Sequence, residues 1–438
     1  MNARDLIIIG DALKVLKTFP DNVVDCVMTS PPYWGLRDYK IKGQIGLEET
    51  LDEYIETLTE VFREVRRVLK DEGILWLNMG DAYCSQPAGN INPSGFSQTR
   101  PSRRKHGIGA ETVDLPIKDF GNLKPKNLIG QPWRLAFALQ IDGWYLRSDI
   151  IWAKPNPMPE SVQGSGWYRH KVRDKKSKEW IECSGCEKCK DNGGYVLRMN
   201  AGRPTKSHEY LFLFTKSAKY YYDAEAIKEP SKYPNDNRKS RSSKNHKRMP
   251  TEKIAGVRPG DQTYPTRNKR TVWTIPTQAC PEAHFAVFPE KLVEPCILAG
   301  TSEKGYCAEC GKPIVRIIEK TGGRDWRNDG ILSIGIPGER NKGGSNKRGR
   351  PTTSLDEVKR TRTIDWKPSC SCRVGTVSGD IIPGLVLDPF MGSGTVAIVA
   401  KRLGRDYLGI ELSMEYLKII RGRLFKQLRI KARAIDRR

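Results

Sequence analysis

The chain has 438 residues, 38% of them hydrophobic and 29% charged. Seventy-five Lys and Arg stand against 51 Asp and Glu, a formal net charge of +24. The length fits one large domain with insertions, or two to three domains. The charge asks for a polyanionic partner. No apolar run approaches the roughly 18 residues of a membrane span, which argues against a membrane protein. No signal peptide precedes the first strand pattern, so a soluble, cytoplasmic protein is expected. Its 11 cysteines are then thiols or metal ligands rather than disulfides.

Leu6 to Ile9 is a continuous apolar run closed by Gly10-Asp11, the pattern of a buried strand. Val23 to Met28 predicts a second strand, which runs into Thr29-Ser30-Pro31-Pro32-Tyr33-Trp34. Leu51 to Leu69 carries apolar residues at helical spacing, with Gly73 as its stop. Ile74 to Met79 is the next strand. This alternation predicts an α/β fold with a parallel sheet covered on both faces. Residues 85–125 are rich in Gly, Ser, Asn, Pro and Arg and read as a long polar insertion. A helix over Trp133 to Gln140 follows, then strands at Ser148 to Trp152 and Tyr210 to Phe214, with Tyr220 to Tyr222 as a further edge.

From Ser231 to Arg270 there are 12 Lys or Arg and 3 Asp or Glu. Such a run is either plain disorder or a phosphate-gripping, target-reading insertion. A second long insertion spans 301–380. Gly384 to Asp388 and Tyr407 to Glu411 are the last strands, and a final helix ends in a basic tail. The pattern divides the chain at 1–84, 85–125, 126–222, 223–272, 273–300, 301–380 and 381–438.

Two short runs carry the chemistry. Asp388-Pro389-Phe390-Met391-Gly392-Ser393-Gly394-Thr395 lies between an apolar strand and a helix. Its glycines allow close backbone approach to a ligand, and the helix start offers free N–H groups. Glu411 ends the next strand, where an acid can accept from both hydroxyls of a ribose. Asp388 at the mouth of the turn would repel a pyrophosphate but suits an ammonium. A ligand with adenine, ribose and an α-amino acid fits, as S-adenosylmethionine does. The other run, Ser30 to Tyr33, is a stiff turn with acceptors at a strand end. An exocyclic base amine is a poor nucleophile until acceptors draw on its protons. The Ser30 side chain and the Pro31 carbonyl are such acceptors, and Tyr33 offers a ring for an extruded base.

Ser30-Pro31-Pro32-Tyr33 and the Asp388 to Thr395 loop, in this order, resemble the β group of the amino-DNA methyltransferases. The resemblance implies a Rossmann-like, seven-stranded, mostly parallel sheet with one antiparallel strand. It implies methyl transfer from S-adenosylmethionine to N4 of cytosine or N6 of adenine in double-stranded DNA. It also leaves room for a cognate restriction endonuclease as a functional partner. Gly10-Asp11-Ala12 matches the segment whose acid approaches the cofactor adenine. His284 to Glu290, with Phe288, matches the segment closing over the methionine end. In that family a Ser at the position of Ser30 goes mostly with N4-cytosine enzymes and an Asp more usually with N6-adenine, so the resemblance points to cytosine rather than adenine. A hydroxyl can also donate to the cytosine ring nitrogen while it accepts from the amine.

Cys307, Cys310, Cys370 and Cys372 predict a closed structural zinc site, with free thiols as the alternative. Cys183, Cys186 and Cys189 form a second cluster, for which His170 or His208 would be the fourth ligand. Cys26, Cys84, Cys280 and Cys296 read as core residues. Two other readings stand beside the methyltransferase. One is a non-catalytic zinc-containing DNA-binding protein. The other is a nicotinamide-dependent oxidoreductase using the Gly392 loop, in which the basic charge and the Ser30 turn have no role.

Overall fold

A computed structural model describes the chain except for residues 1–3, 37, 85–101, 105–112, 116–120, 122, 125, 158–165, 175, 199–201, 232–265, 279–286, 322–359, 373–380 and 436–438. Eight strands form the central sheet: β1 (Leu6–Ile9), β2 (Val24–Thr29), β3 (Leu69–Met79), β4 (Tyr145–Ala153), β5 (His208–Thr215), β6 (Val272–Thr274), β7 (Leu385–Asp388) and β8 (Asp406–Glu411). Their order across the sheet is β1-β8-β7-β2-β3-β5-β4-β6. All neighbours are parallel except where β5 meets β3 and β4. The single antiparallel strand agrees with expectation. The strand count is eight rather than seven, because β6 at the far edge adds three residues beside β4. β6 also straddles the expected boundary at 272.

Among the described residues six helices cover the sheet: α1 (Ala12–Leu16), α2 (Leu51–Val68), α3 (Gln131–Ile141), α4 (Glu290–Gly300), α5 (Thr395–Arg402) and α6 (Met414–Ile435). One face packs against Leu58, Phe62 and Val65 of α2 and Leu135 of α3. The other packs against Val293 and Ile297 of α4, Val396 of α5 and Ile420 of α6. Strand alternation feeds both layers: Phe212 and Phe214 of β5 face the first, Leu211 and Leu213 the second.

α2 starts on a capping box in which Thr50 and Glu53 bond each other's backbone N–H. It does not stop at Gly73. The chain turns extended at Leu69 and enters β3 directly, because Val24 of β2 already pairs there. Gly73 is a packing residue: a Cβ would lie 2.6 Å from Leu69 Cδ1 and 3.0 Å from the Asp25 carbonyl. Tyr220 to Tyr222 forms no strand; Tyr221 N–H makes a single bond to Glu72 O at 2.8 Å. Within 85–125 a short antiparallel pair joins Ser102–Arg104 to Val113–Leu115. Most of the basic stretch 231–270 lies outside the described residues, as do His284 and Cys280. Cys26, Cys84 and Cys296 are buried, as expected. Among the described residues no helix is long and apolar enough to cross a membrane.

Candidate active site

After β2 the chain moves to one side of the sheet, into β3. After β7 it moves to the other, into β8. The crevice at the carboxyl ends of β2 and β7 is therefore a topological switch point, the usual ligand position in open α/β sheets. Both predicted motifs open onto it. Leu387 of β7 pairs with Val27 of β2, and Thr29 Oγ1 donates to Asp388 Oδ1 at 2.7 Å. Two runs more than 350 residues apart in the chain thus meet at one buried hydrogen bond.

The β7 side is a cradle with open valences. Asp388 is fully buried. Its Oδ1 accepts from Thr29 and from the Phe390 N–H at 3.1 Å. Its Oδ2 is buried and has no hydrogen-bond partner among the described residues. Burial pushes the Asp388 carboxyl up to about 7, against the pull of the Thr29 hydroxyl. An unpartnered buried acceptor is costly unless a ligand fills it, and an ammonium would. Glu411 at the end of β8 accepts from Gly392 N–H at 2.7 Å and Ser413 N–H at 2.8 Å. Burial raises its carboxyl as well, and both oxygens keep lone pairs for hydroxyl donors. Gly392 has a φ of 52° and only the Phe390 carbonyl, at 3.8 Å, near the place of a Cβ. Gly394 serves packing instead: a Cβ would lie 2.7 Å from Ile420 Cγ2 of α6. Arg423 of α6 fixes the loop, donating to Ser393 O at 2.7 Å and Thr395 Oγ1 at 3.2 Å. These donor and acceptor sets fit an amino-acid head and a ribose.

The outlying predicted residues take mixed places. Asp11 stands at the end of β1 beside β8, but its Oδ1 accepts from Lys14 N–H at 2.9 Å and caps α1. Phe390 packs edge-on against Phe62, with centroids 6.5 Å apart. Pro389 joins it to Asp388 in the same turn. Phe288 is half-buried against the second core layer, just before α4. Glu290 follows it and ties α4 to α5 through Arg402 at 2.6 Å.

The β2 side holds the stiff turn. Pro31 is buried; Ser30, Pro32 and Tyr33 are half-buried. Tyr54 of α2 donates to the Pro32 carbonyl at 2.8 Å. Ser30 Oγ donates to Tyr33 Oη in a long contact of 3.4 Å, and Tyr33 Oη donates to Glu209 Oε2 at 3.1 Å. Glu209 in turn pairs with Lys154 Nζ. Gly80 makes room for this chain, since a Cβ there would lie 3.0 Å from Tyr33 Cε2 and 3.2 Å from Glu209 Cδ. Burial pushes the Tyr33 phenol well above its usual range, and the Glu209 charge adds to that. Thr29, Glu209 and Lys154 were not singled out from the sequence. Glu209 is the one acid in a strand otherwise of aromatic, leucine and threonine residues, which was the available signal. Lys154 joins it only through the β4–β5 register.

The two cysteine clusters also close. Cys307, Cys310, Cys370 and Cys372 place their sulfurs within 4.8 Å of one another. They lie near the amino ends of the strands, where Lys70 of β3 donates to Gly311 O at 3.1 Å. Cys183, Cys186 and Cys189 close with His170, to the same tolerance. His208 sits instead in β5, edge-on to Tyr210.

Comparison with known proteins accords with this geometry. A family model described as DNA methylase, of the N6/N4 methyltransferase type, matches residues 24–309 and 379–422. This chain belongs to that family. It is a DNA methyltransferase of the amino type, acting on N4 of cytosine or N6 of adenine. The Type II methyltransferase M.SmaI of Serratia marcescens is 35% identical over 421 residues, covering 96% of this chain and 91% of that protein. M.Cfr9I of Citrobacter freundii is 36% identical over 415 residues, covering 95% and 86%. M.XycI of Xanthomonas campestris pv. cyanopsidis is 34% identical over 420 residues, covering 95% and 86%.

Proposed function

We propose that this methyltransferase uses S-adenosylmethionine to methylate N4 of a cytosine flipped out of double-stranded DNA. The observation that carries this reading is the Thr29–Asp388 bond, which joins an amine-polarising turn to an ammonium-accepting cradle. S-adenosylmethionine, when bound, would supply the electrophilic methyl carbon, its bond to sulfur breaking with the electron pair as the bond to nitrogen forms, and the nitrogen then gives up one proton to solvent. Asp388 Oδ2 takes the ammonium of its amino-acid end, and Glu411 takes the ribose hydroxyls. Asp11 and Phe288 border the adenine and methionine ends.

Ser30 and the Pro31 carbonyl accept hydrogen bonds from the exocyclic amine. This draws the nitrogen lone pair out of conjugation and aims it at the cradle. The long Ser30–Tyr33 contact is easily exchanged, so the hydroxyl can turn and donate to the ring nitrogen of cytosine. Adenine carries a ring acceptor beside its amine as well; cytosine is favoured because a Ser at position 30 resembles the N4-cytosine members of the family. Tyr33, held by Glu209 and Lys154, supplies the stacking face. Cys307, Cys310, Cys370 and Cys372 hold a structural zinc at the back of the sheet, with no open ligand position for catalysis. The Type II names of the relatives favour a modification role beside a cognate endonuclease.

The test is to sequence modified bases in DNA from a host expressing the chain. N4-methylcytosine at one recurring sequence is expected, and much less of it with Ser30→Ala. Methylation confined to N6 of adenine would overturn the choice of base.

A further inference from the structure

Between β4 and β5 the chain leaves the carboxyl edge of the sheet after Lys154 and returns through Gly202 to His208. Residues 166–198 form a small module of two antiparallel strand pairs. Gly166–Arg169 pairs with Tyr195–Arg198, and Lys171–Arg173 with Trp180–Glu182. Among its described residues only Cys189 is buried. Trp167 is 56% exposed and Trp180 66%. A unit this small with its large side chains outside cannot be held by apolar burial.

A metal can hold it. Cys186 Sγ lies 4.0 Å from Cys189 Sγ and 3.4 Å from His170 Nδ1. A tetrahedral zinc with ordinary bond lengths demands edges of about 3.8 Å between sulfurs and about 3.6 Å between sulfur and nitrogen. The backbone is shaped for it. Cys183 N–H donates to His170 O at 2.9 Å, and Gly185 at φ 112° turns the chain between the first two cysteines. Three thiolates and one imidazole select zinc over harder cations and leave no open position.

The module is also basic, with nine Lys or Arg against five Asp or Glu over 166–198. Lys171, Lys176, Lys178 and Lys188 are exposed. Both tethers spring from the edge that carries Lys154 and Glu209 beside Tyr33, so the module stands on the side from which DNA enters. We propose that His170, Cys183, Cys186 and Cys189 hold a second structural zinc, and that this ion fixes a module contacting DNA phosphates next to the target base. The DNA contact rests on the methyltransferase assignment; the metal site does not.

The test uses the full chain. Zinc is counted by mass spectrometry in the parent and in Cys183→Ser/Cys186→Ser. The parent is expected to hold two zinc ions per chain and the variant one, with S-adenosylmethionine binding unchanged. Equal zinc in both would overturn the metal site. Lys171→Glu/Lys176→Glu/Lys188→Glu keeps all four ligands. It is expected to retain its zinc and bind DNA at least tenfold more weakly. Its slope of log affinity against log salt should fall by about 2 to 3, since each phosphate the protein neutralises adds about 0.9 to that slope. Unchanged DNA affinity and slope would overturn the proposed DNA contact. Zinc content and cofactor binding are read without methyl transfer, so failure of the base assignment would leave them untouched.

Discussion

Two aspartates on neighbouring strands of the same sheet show how a site differs from a scaffold. Asp25 lies near the amino end of β2, and Asp388 ends β7. Both are buried, and burial raises both carboxyls. At the amino end both oxygens are engaged: Asp25 Oδ1 pairs with Lys70 Nζ at 2.6 Å and Oδ2 accepts from Leu385 N–H at 2.7 Å. Lys70 extends the network to Gly311 O and over the Tyr306 ring, 4.7 Å from its centroid. At the carboxyl end Asp388 Oδ2 has no hydrogen-bond partner among the described residues. A raised pKa alone therefore does not mark function. At Asp388 the buried, unmet acceptor lies in the switch-point crevice, where an arriving ligand can recover the cost of desolvation.

The sharpest break between the two ends should come at Ser30. Ser30→Ala is expected to cut turnover about 10²- to 10³-fold, the usual cost of one oriented polar group in a transition state, while cofactor affinity stays as in the parent. Single-turnover methyl transfer and equilibrium cofactor titration read the two separately. A collapse of cofactor affinity would mean that the β2 turn belongs to the cradle. Asp25→Ala should act the other way. It strips Lys70 of its buried partner and is expected to cost about 3 kcal/mol in denaturant unfolding, with cofactor affinity per folded molecule unaltered.

Asp388→Asn keeps an acceptor for Thr29 and the Phe390 amide but loses the charge. Cofactor affinity should fall about 10- to 100-fold, the worth of a charge-assisted hydrogen bond, with the unfolding midpoint unchanged or higher. Calorimetric titration and denaturation of the same sample test both halves. The smallest effect is with pH. A carboxyl raised to about 7 must shed its proton before it can face an ammonium. Affinity should therefore rise with pH, about tenfold from pH 6 to 8, and level off above. In Asp388→Asn this dependence should vanish.

Much of this was legible before the fold was known. Val23 to Met28 and Gly384 to Asp388 are apolar nearly throughout, because parallel strands buried on both faces need that. Leu6 to Ile9 reads the same way, but β1 is an edge strand of the sheet and none of its residues is buried. The two turns stood out because prolines and glycines at strand ends restrict what the backbone can do there. The boundary at Leu69 was hidden, since Leu69 satisfies the helix pattern and begins the strand. The Glu209–Lys154 pair was hidden because it exists only in the antiparallel register of β4 and β5. The choice of His170 over His208 was hidden for a similar reason: both are near in sequence, and only the strand pairs of the module bring one to the thiols.

The most direct measurement is mass spectrometry of nucleosides from DNA incubated with the purified chain and S-adenosylmethionine bearing a deuterated methyl group. The account predicts the label on N4 of cytosine, formed about 10²- to 10³-fold more slowly with Ser30→Ala. Label found only on adenine would contradict the base assignment, and DNA left unlabelled by a chain that binds both DNA and cofactor would contradict the shared crevice itself.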